Sequence, residues 1–344
     1  MRASQYGLLV EAMMLTPCLA FAAPGPQDST LTLSGLVDMG FSYLQGADNS
    51  RLTTRSGGQS ASRITLSGSE GLGGGWMAAF RLQNVFNAGN GKSLIDGRLF
   101  NSVSWLSFSG PPGELRLGRQ PVLGSQWGSF DEGFDGGWGG AGDSIIPTGH
   151  GDTGRAARMN QSVIYYSPAL AGFKAAAGYS FRVGDGDTTE TDSMGRPLKN
   201  PNDRVFTAGL QYAKNEWTAG LTLDGLIPEG QDRRRTRNWQ TGVAYATDNF
   251  GWSVNYGLLV NPNRGPAKDR RRSSAFIAGA HYRMTPNGIL RLAVQRSVGI
   301  ELKSVALGYQ YDLSKRSNLY VYAIQRSGGI LSRRVIALGM RHRF

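Results

Sequence analysis

The chain has 344 residues, a formal charge of +12, 18% charged residues, 49 Gly, 7 Trp, 13 Tyr and 14 Phe, with a mean hydropathy of −0.30. No apolar run approaches the roughly 18 residues a membrane-crossing helix requires, which excludes a helical membrane protein; abundant Gly and aromatics favour many short strands joined by turns. The excess of basic groups points to anionic partners in general: nucleic acid, phosphorylated lipid or small anions.

Residues 1–22 open with Arg2, continue through the apolar "GLLVEAMMLTPCLAFA" and end on Ala20-Phe21-Ala22, a small-x-small cleavage site. This is the pattern of a secretory signal peptide; the alternative is a short buried N-terminal helix. Cys18 is the only cysteine and leaves with the signal, so the mature chain is expected to hold no disulfide and no cysteine-based metal site.

From Thr30 onward the apolar residues alternate with small or polar ones. In "FKAAAGYSFR", Phe173, Tyr179 and Phe181 fall on one face, and Lys174, Ser180 and Arg182 on the other. Such segments occur at 30–45, 62–70, 76–86, 98–109, 114–120, 158–166, 173–182, 204–213, 216–226, 238–247, 251–260, 273–283, 289–297, 301–311, 318–326 and 331–344, sixteen in all. Tight turns such as "GLGGG" (71–75), "GPPG" (110–113), "KN" (214–215) and "TPNG" (285–288) alternate with mostly long polar connections at 46–61, 87–97, 121–157, 183–203, 227–237 and 261–272. Short turns at one end and long loops at the other are the asymmetry of an outer-membrane barrel.

Physical chemistry gives the reason. In hydrocarbon each unsatisfied backbone N–H or C=O costs several kcal/mol, so strands cross a membrane only in a closed sheet. A soluble β-sandwich also alternates, but its inner face would be crowded with Val, Ile and Leu, whereas here the second face is Gly, Ser, Thr, Asn and Gln. The sequence therefore predicts an all-β, 16-stranded antiparallel transmembrane β-barrel over residues 23–344, following the signal. Its last segment, "VIALGMRHRF" (335–344), is expected to close the barrel against "STLTLSGLVDMGFSYL".

Several ordered blocks carry a family resemblance. "SRITLSGSEGLGGGWMAAFRLQ", "GRLFNSVSWLSFSG" followed by "LGRQ", "ALGYQYDLSKRSNLYVY" and "RHRF" resemble blocks of the trimeric general porins of Gram-negative outer membranes, betaproteobacterial type. The resemblance implies a passive channel for ions and small hydrophilic solutes, a homotrimer, and a third long loop (121–157) folded into the lumen. That loop carries Asp131, Glu132 and Asp135, read as an acidic rim facing a basic wall, or, more plainly, as a solvated acidic loop. Arg63 and Arg158 occupy positions where anion-preferring members of the family carry constriction arginines; a third such position is Ser102, a loss. Arg81, on the expected lumen face, restores that charge, and Arg116 and Arg119 complete the candidate wall. The family's Glu after the third-strand Phe is Gln83 here, and the Asp of its E-D-L-G-G-G block is Gly71. In a pore narrower than the ~10 Å Debye length at 0.1 M salt such charges are poorly screened, so anion preference is expected. The competing role for each arginine is a salt bridge that braces the barrel.

Other motifs carry less. "GWGGAG" (137–142) fits G-x-G-x-x-G in letters but follows no strand and opens no helix. His150, His281 and His342 lie far apart, without metal-ligand spacing, and His281 is expected to face outward beside Ile277. No catalytic, metal or cofactor site is expected. The runs Arg233–Arg235 and Arg270–Arg272 lack the aromatic platforms of a nucleic-acid binder and are either solvated loop charge or contacts to lipopolysaccharide phosphates. A substrate-specific channel, a barrel lipase and an adhesin are the alternative functions.

Overall fold

The structure, a computed structural model, describes residues 29–46, 50–95, 97–127, 133–134, 158–183, 203–228, 234–261, 271–298, 301–328 and 332–344, with the backbone of 190–191 and 197–198. The expected signal peptide and the residues Asp131, Glu132 and Asp135 lie outside them.

Strands form wherever the sequence alternates. They are β1 (Thr30–Gln45), β2 (Ser50–Ser56), β3 (Arg63–Gly73), β4 (Trp76–Val85), β5 (Val103–Gly110), β6 (Gly113–Pro121), β7 (Arg158–Tyr166) and β8 (Phe173–Ser180). The short β9 (Glu190–Thr191) and β10 (Pro197–Leu198) pair only with each other. There follow β11 (Arg204–Lys214), β12 (Trp217–Ile227), β13 (Thr236–Ala246), β14 (Phe250–Val260), β15 (Arg272–Arg283), β16 (Gly288–Ser297), β17 (Leu302–Asp312), β18 (Ser317–Ser327) and β19 (Arg333–Arg343). A short helix, α1 (Leu123–Trp127), follows β6.

Each barrel strand runs antiparallel to its neighbours, β8 pairs with β11, and β19 returns to β1. The lower half of β1 (Thr30–Leu36) pairs with β3 and the upper half (Met39–Gln45) with β2. β2 and β3 therefore share one position, and the closed sheet has sixteen. The sequence reading placed residues 50–56 in a loop; they are strand because the upper half of β1 needs a partner on that side. Before β5, the side chain of Asn101 replaces a backbone rung: its Oδ1 accepts from Val85 N (2.9 Å) and its Nδ2 donates to Val85 O (2.6 Å). That substitution is why regular strand starts at Val103 rather than near 98.

The seam closes through Phe344, whose N–H donates to Gly35 O (3.1 Å) while Gly35 N–H donates to Phe344 O (3.0 Å). A Cβ at Gly35 would sit 2.6 Å from Phe344 Cζ, so only glycine lets the terminal ring lie across this point of β1.

The two faces are inverted relative to a water-soluble protein. Trp239 is 40% exposed beside Asn238 at 0%, and Leu338 is 53% exposed beside Ala337 at 2%. Such a surface is stable only against hydrocarbon, and such an interior only against water or polar partners. At the short-turn end, Trp217 packs against Tyr245 (5.0 Å) and Trp252 (5.9 Å), Phe173 against Tyr212 (4.9 Å) and Trp76 against Phe108 (4.6 Å). Amphipathic rings so placed form an interfacial girdle. Among the described residues no helix is long and apolar enough to cross a membrane.

One orientation departs from expectation. His281 opposes the buried Arg291 and shares its face with buried Ile277, so it points inward; the outward residues of β15 are Phe276 and Tyr282.

Candidate functional site

After β6 the chain turns into the barrel. Leu123 N–H donates to Thr207 Oγ1 (2.8 Å), Gly124 N–H donates to Asp224 Oδ1 (3.3 Å), and Thr207 Oγ1 donates to the same carboxylate oxygen (2.6 Å). Thr207 and Asp224 face each other across β11 and β12, and both side chains point inward. Two backbone amides of the first helical turn thus hang on a wall hydroxyl and a wall carboxylate, favourable partners for that end of a helix. The approach is close: a Cβ on Gly124 would come within 2.0 Å of Asp224 Oδ2. Leu123 and Trp127 bury themselves among Met159, Ile164, Val205 and Leu226, and Tyr166 OH donates to Gln126 Oε1 (3.1 Å).

Residues 133–134 of the same connection are on the other side of the interior. Gly133 O accepts from Arg291 Nη1 (3.1 Å), and Phe134, fully buried, packs with Tyr320, Tyr322, Ile324 and Val335. The described parts of the β6–β7 connection therefore span the barrel from the β11–β13 wall to the β16–β19 wall.

A second segment enters from a different direction. Between β2 and β3 the chain wraps around the buried carboxylate of Asp38, which accepts from Gly58 N (3.1 Å), Gln59 N (2.9 Å), Ser60 N (2.7 Å) and Tyr320 OH (2.6 Å). Ser62 Oγ accepts from Asp38 N (3.0 Å), and Gln59 Nε2 donates to Gln310 Oε1 (2.8 Å).

The candidate basic residues are distributed over one wall. Arg63 and Arg81 share the inward face of β3 and β4 with Thr65 and Gln83, and Arg81 stands opposite Trp105 in register. Arg119 donates through Nε and Nη2 to Asn101 O (2.9 and 2.7 Å) and through Nη1 to Asn160 Oδ1, which also accepts from Arg98 Nη1 (3.0 Å). Arg158 heads β7 two residues before Asn160, and Arg98 and Arg158 both lie close enough to repel Arg119. The structure thus brings Arg98, Arg119 and Arg158 together; Arg98 was not anticipated.

Arg116 stands apart. It chelates Glu114 (2.9–3.0 Å) and lies between Trp105 (4.4 Å) and Tyr166 (4.7 Å). Its charge is matched locally, and the stack buttresses Tyr166, which in turn holds Gln126.

The two departures from the family pattern meet. Ser102 Oγ donates to Gln83 Oε1 (2.9 Å), and Gln83 Nε2 donates to Thr65 Oγ1 (2.9 Å). Where the resemblance assigns an arginine and a glutamate, this chain carries one neutral hydrogen bond, so the exchange removes one charge of each sign.

Sequence reasoning missed the opposite wall. Arg291, Arg326 and Arg341 are buried on inward faces there, with Arg341 Nη1 donating to Ser60 Oγ (3.0 Å). Sequence reasoning also missed Arg55, which faces inward opposite Gly40 from β2, beside the wall of Arg63. The signal was available: in "GILRLAVQRS" Arg291 alternates with Leu290 and Leu292 as regularly as any early-strand arginine. Among the described residues, no cluster of His, Cys, Asp or Glu could hold a metal ion.

A closed sheet with hydrocarbon-compatible exterior, charged interior and a connection folded across it defines a membrane channel, and the short-turn and long-loop asymmetry defines one of the bacterial outer membrane. A Gram-negative porin family model matches residues 10–326, and the chain belongs to that family. It is 29% identical to an outer membrane porin protein of Bordetella pertussis, across 94% of this chain and 97% of that one. It is 30% identical to outer membrane porin protein 32 of Delftia acidovorans, across 90% and 87%. Among solved structures it resembles an anion-selective porin from Comamonas acidovorans, with a TM-score of 0.72 and 24% identity over 92% of this chain and 100% of that one. The protein is an outer-membrane porin, a passive channel.

Proposed function

We propose that this porin prefers anions and works as a homotrimer after removal of residues 1–22. The observation that carries the preference is an imbalance in how interior charges are used. Four described interior carboxylates are committed to structural bonds: Asp38 to three amides and Tyr320, Glu114 to Arg116, Asp224 to Thr207 and Gly124, and Asp312 to Arg283 (3.5 Å); Asp248 lies apart from them, on a turn at the short-turn end. The inward-facing arginines outnumber them, with Arg55, Arg63 and Arg81 on β2 to β4 and Arg291, Arg326 and Arg341 on β16 to β19, while Arg98, Arg119 and Arg158 gather at the long-loop end of β5 to β7. Low-dielectric walls focus the field of that excess onto whatever ion enters.

In this reading Asp131, Glu132 and Asp135 of the inward loop face the arginine wall and create a transverse field across the narrowest section, with 121–157 setting the size limit. The similar Comamonas acidovorans porin is anion-selective, the same sign of selectivity as proposed here. The solute's own gradient drives transport, so the reading needs no catalytic group. The arginine runs of the outer loops, Arg233–Arg235 and Arg270–Arg272, contact lipopolysaccharide phosphates.

Reversal potentials across planar bilayers under a KCl gradient test the preference. A potential of the sign set by chloride is expected; one set by potassium overturns the reading. Three-level closure of single insertions is the expected signature of the trimer.

A further inference from the structure

On the short-turn side of the inward connection the barrel holds a half-open cavity of about 490 Å³. Its walls are the inward faces of β15 to β19, and its floor is made by the turns that carry Asp248, Pro286 and Ser314. Arg291 stands at its roof, because the same guanidinium that lines the cavity donates to Gly133 O. The lining carries Arg283, Arg291, Lys315, Arg316, Arg341 and Arg343 against two carboxylates, Asp248 and Asp312. Asp312 is already engaged by Arg283 and by Gln310 Nε2 (2.6 Å). The cations come from three strands and one turn, so their convergence belongs to the closed barrel and not to a local run of basic sequence.

We propose that this cavity is a binding site for a multiply charged oxoanion, namely inorganic phosphate or the phosphate group of a small ester, at the periplasmic mouth. Coulomb attraction scales with the product of charges, so a dianion gains about twice what chloride gains from the same wall. Guanidinium forks match pairs of phosphate oxygens in a way that a spherical ion does not reward. At about 30 Å³ per water the space holds the anion with much of its hydration, which keeps the desolvation cost low and the site shallow enough to release its occupant. The site is separate from the Arg98–Arg119–Arg158 group and lies on the opposite wall. It rests on the barrel being a channel, and not on the sign of its overall selectivity.

The test uses the full-length porin inserted in one orientation in a planar bilayer, with inorganic phosphate titrated on one side at constant chloride. Phosphate added on the short-turn side should reduce the chloride current at about fivefold lower concentration than on the other side. Lys315 and Arg316 are exposed on a turn, and the double variant Lys315→Gln/Arg316→Gln should erase that difference while the KCl reversal potential keeps its sign. Arg343→Gln, on β19, carries the same expectation should the double variant fail to assemble. Equal block from both sides, or a side difference that survives these substitutions, overturns the site. A reversal potential set by potassium would instead overturn the proposed selectivity and leave the side-dependent block to be read on its own.

Discussion

Two acids on the barrel interior perform the same task in different surroundings. Asp224, on the β12 wall, receives one amide of α1 and a threonine hydroxyl; Asp38, on β1, receives three consecutive amides and a tyrosine hydroxyl. Both capture an inward segment through its backbone. Asp38 carries the larger share of bonds, and its segment also bridges to Gln310 and Arg341. The contrast implies that one insert is bolted to the wall and the other is hinged at its first turn, with its remaining grip supplied by buried apolar side chains such as Leu123, Trp127 and Phe134.

The largest expected effect comes from removing the bolt. Asp38→Ala strands buried donors that each cost about 1–3 kcal/mol when unpaired, so the folded barrel should convert to its heat-denatured gel mobility at clearly lower temperature. Unchanged heat stability would show that water replaces the carboxylate and that the two acids are equivalent. Next is the hinge. Gly124→Ala forces a methyl against Asp224 and should displace α1. Single-channel conductance should then shift, with heat stability falling by about 1–3 kcal/mol, the range for overpacked sites. Conductance equal to wild type would place the resistance of the pore elsewhere.

Smaller effects separate the walls by charge. Arg81→Ala and Arg158→Ala should each lower the chloride-to-potassium permeability ratio by about twofold, with heat stability unchanged, because a bracing role would move the second quantity and not the first. The neutral exchange gives the sharpest comparison and the smallest net effect. Gln83→Glu alone should lower anion preference and Ser102→Arg alone should raise it, while the double variant should return close to wild type. A double variant as altered as either single one would mean that the two side chains do not act as a pair.

The barrel was legible because two solvents impose period two on every strand that marks both faces, as "VIALGMRHRF" does with Ile336, Leu338 and Met340 set against Arg341 and Arg343. Legibility failed where the marks fade. In "SAFIAGAHYR" small residues occupy both faces, and the orientation of His281 follows from Phe276 and Tyr282, which are the only bulky outward anchors. The segment 57–62 carries Gly, Gln and Ser without alternation, so nothing in it announces an inward course. The hint was Asp38 instead, a carboxylate on an inward face that had to find donors. The inward positions of Arg63 and Arg81 followed from parity, whereas Arg158 stands beyond a break of register in β7 and Arg98 reaches its neighbours from an irregular stretch, where parity has no meaning. Arg116 was legible in position but not in its pairing, since the stack on Trp105 and Tyr166 joins three strands.

Because both inserts are anchored through peptide N–H groups, those anchors depend little on the side chains beside them, proline and a substituted Gly124 excepted. Apart from the buried Leu123, Trp127 and Phe134, the side chains of the inserts carry little of the attachment. The lining of the passage can therefore drift, or be redesigned, one residue at a time while the cylinder that displays it stays the same. A lineage adapting to new nutrients would then find its variation in two short stretches of chain, leaving the staves to keep the container intact.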